Sequence, residues 1–215
     1  SANYGQIICF EPDPRCCNYL HKLSKSNNFF KKKKVSIVCT ALTSKEIEIL
    51  KIKTSSEKPV QSASAAEDIR DYSTYDFEYT CVATCLDNYL NSTNESRRIS
   101  LIKIDVEGLE LDVLNGAIKT IKNNSPFILF ESLPIGPKGG SKYRILKKKS
   151  KLLLQFFNKI NYKVFRITKN SNLELVKDLS INKSYRYMQY LAMTNKDAQD
   201  YLRKDNSQKL NSFFM

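Results

Sequence analysis

Residues 99–118 read Ile99-Ser-Leu-Ile-Lys103-Ile-Asp105-Val-Glu107-Gly-Leu-Glu-Leu-Asp-Val-Leu-Asn-Gly-Ala-Ile118. An apolar run from Ile99 to Ile104 stops abruptly at the acidic Asp105. After Val106, Glu107 and Gly108, the pattern changes period. Leu111, Leu114, Ile118 and Ile121 fall at helical spacing, with Val113 and Ala117 on the flank. The stretch predicts a buried strand, a tight turn, and a helix over 109–122 that packs back on the sheet. In open α/β sheets, ligands sit beyond the carboxyl ends of the strands. Asp105 and Glu107 are therefore where a site is expected.

Working outward, Ile7 to Phe10 reads as a short buried strand ending at Glu11, and Pro12 and Pro14 start a helix through Cys17, Leu20 and Leu23. Val35 to Thr40 reads as the next strand. Ile47 to Ile52 and Tyr79 to Ala83 alternate as the two strands of a hairpin-like excursion. The polar, Ser-rich segment between them, Ser55 to Tyr75, reads as a surface loop that orders over ligand. A short helix spans Cys85 to Leu90, and Phe127 to Phe130 is a strand ending at Glu131. Pro134 to Ser141 is a Pro/Gly loop. A long helix follows, with Leu146, Leu153, Phe157 and Ile160 on one face. Tyr162 to Thr168 and Tyr187 to Met193 are expected to be antiparallel neighbours, and Asn195 opens a polar helix and tail. Alternating strands and helices predict an α/β fold with a mostly parallel sheet.

The chain has 215 residues, 41% of them apolar and 11% aromatic, enough for a proper core. No apolar stretch approaches the length of a membrane span, so a soluble, cytoplasmic protein is expected. Thirty-five basic against 22 acidic residues give a formal net charge of +13, much of it from Lys31 to Lys34 and Lys147 to Lys151. Such a balance suits nucleic acid, anionic lipid or an acidic substrate. No helix-turn-helix, zinc-finger or ribonucleoprotein-type motif accompanies the lysines, so nucleic acid is not the expected partner. Six cysteines without a Cys-x-x-Cys pair, and His21 as the only histidine, make a zinc site unexpected. The cysteines read as reduced thiols. The single histidine also argues against a Ser-His-Asp hydrolase.

Ile102-Lys-Ile-Asp-Val-Glu-Gly108 with Glu110-Leu-Asp-Val-Leu-Asn-Gly-Ala117 resembles the signature of the FkbM-type methyltransferases. Ile7-Ile-Cys-Phe-Glu-Pro-Asp-Pro14, Ala41-Leu-Thr-Ser44, Leu86-Asp-Asn-Tyr-Leu90 and Pro126-Phe-Ile-Leu-Phe-Glu131 agree with it in the family's order, so the resemblance runs from about residue 5 to about residue 131. It implies a Rossmann-like class I methyltransferase sheet, with S-adenosylmethionine as cofactor. A methyltransferase domain is expected over residues 1–194, with a C-terminal helix and tail over 195–215.

The family's first strand and Gly-rich turn are not found ahead of Glu11, so the domain is expected to be N-terminally incomplete and the chain a fragment. Two half-sheets with unpaired edges would result.

The resemblance also assigns roles. Glu11 would bind the ribose diol, although a carboxylate beside Pro12 and Pro14 is equally suited to a helix start. Ala41 and Leu42 would lie against the adenine. Asp105 and Glu107 flank the methyl-donor position, where a carboxylate can orient or deprotonate a hydroxyl; both also suit the start of a helix. Lys103 is unexpected in an apolar strand, and either pairs with a carboxylate such as Glu131, helps deprotonate the acceptor, or snorkels. Glu131 is the candidate acceptor-side carboxylate.

The expected reaction is O-methylation of a hydroxyl on a saccharide, a lipid-linked sugar or a secondary metabolite, without metal. The alternatives are a non-catalytic basic binding module on a degenerate methyltransferase scaffold and, third, RNA methylation.

Overall fold

The computed structural model describes residues 5–26, 34–54, 77–95, 97–133, 135, 140, 142–169, 172–179 and 188–212. The expected loops over Ser55 to Tyr75 and Pro134 to Ser141 lie outside these, except for Ile135 and Gly140, as do three of the four lysines of the first cluster. The described chain is mixed α/β, with ten strands and six helices.

The chain divides into two compact units. The first, residues 1–95 with 112–117, holds two sheets. Strand β1 (Ile7–Phe10) pairs in parallel with β2 (Val35–Val38), and helix α1 (Pro14–Ser26) connects them. Asp13 starts that helix: its Oδ1 accepts the Arg15 N–H at 2.8 Å, and Pro14 takes the first helical position, where its missing N–H costs nothing. The second sheet joins β3 (Ala41–Leu42), β5 (Phe77–Thr84) and β4 (Ile47–Thr54), in that order. The β4–β5 pair is antiparallel, as its alternation predicted. Helix α2 (Leu86–Ser92) is capped by Cys85, whose Sγ accepts the Asn88 N–H.

The reading of every cysteine as a reduced thiol is corrected here. Cys17 and Cys39 form a disulfide, because the parallel β1–α1–β2 crossover brings the first turn of the helix beside the end of β2. Cys9, Cys16, Cys81 and Cys85 are free thiols.

The second unit, residues 96–111 with 118–215, carries a five-stranded sheet ordered β6-β7-β10-β8-β9. Its strands are β6 (Leu101–Ile104), β7 (Phe127–Glu131), β8 (Tyr162–Ile167), β9 (Leu173–Leu175) and β10 (Gln189–Thr194). β6 and β7 run parallel; β10 is antiparallel to both β7 and β8. β9, a three-residue strand, was not expected from the sequence. Helix α5 (Tyr143–Lys159) covers one face. There Phe130 stacks between Phe157 and Tyr190, at ring separations of 5.0 and 5.5 Å, and the Tyr162 hydroxyl donates to the Pro126 carbonyl. On the other face, Phe165 and Met193 pack with Ala198 of helix α6 (Asn195–Ser212).

The single helix expected over 109–122 is instead two, α3 (Glu110–Asn115) and α4 (Ile118–Asn124). Gly116 breaks it. Its carbonyl leaves the helical ladder to accept the Asp87 N–H at 3.0 Å, and its bare Cα lies against the Thr43 carbonyl. Among the described residues, the sheets are discontinuous: β1 pairs only with β2, and β6 only with β7.

Candidate active site

In the second unit, the carboxyl ends of β6 and β7 lie side by side because the two strands are parallel and in register from Leu101↔Phe127 to Ile104↔Phe130. Asp105 follows β6 directly and Glu131 closes β7, so the next step of the register sets the two carboxyl groups together. They hydrogen-bond each other, at a shallow depression shared with Lys103, Leu129 and Gln189. Lys103 Nζ donates to Asp105 Oδ2 at 2.8 Å.

Of the two carboxyl groups, Glu131 has the raised proton affinity and Asp105 the lowered one. The hydrogen-bonded Lys103 ammonium holds Asp105 below the usual carboxylate range against the opposing effect of burial. Burial, and then the Asp105 charge, push Glu131 up. Two adjacent carboxylates cannot both ionise freely, and the lysine decides which stays charged. Lys103 itself is not a buried lysine, as its apolar flanks implied. Its side chain is 57% exposed because β6 is an edge strand, and its partner is Asp105, not Glu131. Nor does Asp105 cap a helix: α3 starts five residues later.

Glu107 sits in the turn between, at φ 54°, followed by Gly108 at φ 106°. A non-glycine residue in this region is strained, so the turn is held by its surroundings. The neighbouring Glu110 is 5% exposed, and its Oε1 accepts the Gly108 N–H at 2.9 Å. Burial pushes Glu110 up to about 7, against the Gly108 amide and the Lys149 charge and with the Glu107 charge.

The first unit holds the other candidates. Glu11 follows β1, and its Oε1 accepts the Asp13 N–H at 2.8 Å. Since Asp13 starts α1, the helix-start role left open for Glu11 is already filled. Burial raises Glu11, with the Asp13 amide opposing. Asp13 is 2% exposed and is bound by the Arg15 guanidinium at 2.6 Å; burial works to raise it, but the hydrogen bonds from Arg15 outweigh this and hold it low. Ala41 and Leu42 form β3, paired with Ala83 and Thr84.

Sequence reasoning missed several residues here. Tyr79 and Cys81 share the inner face of β5, and the charge of Glu11 acts on both. Among the described residues, the Tyr79 hydroxyl is buried without a hydrogen-bond partner, with the Arg15 guanidinium 5.7 Å from its ring centre. Strand alternation places Tyr79 and Cys81 on one face, but nothing in the sequence says which face meets Glu11. Gln189 was missed too; it stands directly across from Glu131 in the β10–β7 register. Among the described residues, no group of three or more metal-ligating side chains is present.

The model of the FkbM methyltransferase domain matches residues 1–164, and the chain belongs to that family. It is similar to a solved structure described as methyltransferase FkbM from Methylobacillus flagellatus KT, at 14% identity and a TM-score of 0.44. The likeness covers 87% of this chain and 36% of that one, so this chain spans little more than a third of that protein. None of the curated proteins matches the chain. Among the described residues, no helix is long and apolar enough to cross a membrane.

Proposed function

We propose that the chain carries an S-adenosylmethionine-dependent methyltransferase domain over residues 1–194 that methylates a hydroxyl oxygen of a saccharide, a lipid-linked sugar or a secondary metabolite. The observation that carries this reading is the Lys103–Asp105–Glu131 cluster at the ends of β6 and β7, in a chain of the FkbM family. The order of elements agrees with a Rossmann-like methyltransferase sheet.

The cofactor would supply an electrophilic methyl group on a sulfonium. Glu11 fits a ribose diol: Oε1 is fixed by the Asp13 amide, while Oε2 makes no hydrogen bond among the described residues. Ala41 and Leu42 offer a small, largely apolar edge to a base. Asp105, kept charged by Lys103, accepts a hydrogen bond from the acceptor hydroxyl and orients one oxygen lone pair for in-line attack. Glu131, when deprotonated the more basic of the two carboxylates, would take up the proton of the acceptor hydroxyl as that oxygen is methylated. Glu107 adds negative potential beside a cationic donor.

Calorimetric titration with S-adenosylmethionine tests the reading. Binding that Glu11→Gln and Asp105→Asn both weaken, in folded protein, is the expected result. An absence of heat from the folded wild-type chain would overturn it and favour the basic binding module.

A further inference from the structure

We propose that Glu110 and Lys149 are positioning residues that hold Gly108 at its N–H and at its C=O, in two successive peptides, and so fix the turn presenting Glu107 to the Asp105–Glu131 pair. The inference deepens the proposed function and rests on it for its catalytic meaning, but not for its geometry. Glu110 Oε1 accepts the Gly108 N–H at 2.9 Å. At the next peptide, Lys149 Nζ donates to the Gly108 carbonyl at 3.3 Å.

The two grips differ in origin. Glu110 is two residues away and would be an ordinary local contact if it stood alone. Lys149 is 41 residues away on α5, so the second grip is tertiary. Within the lysine cluster, Lys147, Lys148 and Lys151 are exposed, whereas Lys149 is half-buried. The backbone explains the need for a grip. Glu107 and Gly108 are consecutive left-handed residues, a conformation that costs about 1–2 kcal/mol for a non-glycine residue and persists only where its surroundings enforce it. A carboxylate as buried as Glu110 is itself costly without donors.

The consequence is electrostatic. The charged groups facing Glu131 are Asp105 and Glu107 from the loop after β6, and Lys103 from β6. The Glu107 charge acts on Glu131 directly, so loosening the turn is expected to reach Glu131 through Glu107.

The test uses the whole chain and two readouts that need no ligand: hydrogen exchange at the Gly108 amide and the carboxyl-carbon NMR titration of Glu131. Glu110→Ala is expected to speed Gly108 exchange at least about tenfold, while amides of β7 keep their protection. Glu110→Gln retains the acceptor oxygen and is expected to restore that protection. Lys149→Met removes the tertiary grip together with the Lys149 charge, and it decides the matter should Glu110→Ala fail to fold. In both disrupting variants Glu107 swings away and the Glu131 midpoint falls. Unchanged Gly108 exchange and an unchanged Glu131 midpoint in Lys149→Met would overturn the proposal. A parallel titration with S-adenosylmethionine separates the two readings: no binding by the wild type sinks the methyltransferase assignment, while the grip is still judged by exchange and midpoint.

Discussion

A Cβ built on Gly116 would overlap the Thr43 carbonyl oxygen and lie 2.8 Å from the Cys85 Cβ. Because the first obstacle is backbone, no side-chain rotation relieves the clash. Gly116→Ala is expected to destabilise the chain by at least about 1–3 kcal/mol, measured as a lower urea midpoint. At Glu131 the expectation concerns rate. Methyl transfer should rise with pH along a titration above the ordinary glutamate range, because burial and Asp105 hold the proton on Glu131. Glu131→Gln should remove that dependence and lower the rate by roughly 10²–10⁴-fold. Lys103→Met should change stability by less than about 1 kcal/mol, since the pair it breaks is half exposed. It should nevertheless impair catalysis, because Asp105 loses the ammonium that keeps it charged. A loss of stability without a loss of rate would show that the lysine serves only the fold.

Among the elements, α1 and β2 are tied twice, by parallel pairing through β1 and by the Cys17–Cys39 disulfide. A link across 22 residues restricts the unfolded chain, so its reduction is expected to cost roughly 3 kcal/mol, read as the difference between denaturation curves with and without reductant. Neither cysteine advertised this. Cys39 ends an apolar run in which a thiol reads as a small hydrophobe, and only the crossover placed it against Cys17. Helix α5 makes the converse point. Of Leu146, Leu153, Phe157 and Ile160, whose spacing marked its apolar face, Leu153 and Phe157 are buried and Leu146 and Ile160 half-buried. The inward turn of Lys149 within a run of lysines was not so marked, because periodicity separates faces and does not rank the residues at their boundary.

For the whole molecule, the pH dependence of stability is set by groups with opposing signs. Glu110, raised from 4.5 to about 7, binds a proton more tightly in the folded state. Its contribution is therefore complete below about 4.5 and is lost as the pH climbs through about 7. Glu11 and Glu131 are raised and act in the same sense. Asp13 and Asp105 are lowered and act in the opposite sense, losing their contribution only as the solution becomes strongly acidic. The melting temperature should thus be highest in mildly acidic buffer and fall toward neutrality, and Glu110→Gln should flatten that fall. A melting temperature that rises steadily from mildly acidic buffer to neutrality would contradict the burial of Glu110.

The sequence by itself determined the family, most of the succession of strands and helices, and the acidic positions that close β1, β6 and β7. Each depends on local pattern: apolar runs that end at a carboxylate, and helical spacing beyond a turn. Tertiary structure decided the rest. It exposed Lys103 by leaving β6 at a sheet edge, joined Asp105 to Glu131 through parallel register, and split one expected helix where Gly116 meets a neighbouring backbone. It also made one disulfide from six apparently equivalent cysteines. These outcomes depend on which residues far apart in the chain become neighbours, and hydrophobic periodicity specifies a face without specifying what will stand opposite it.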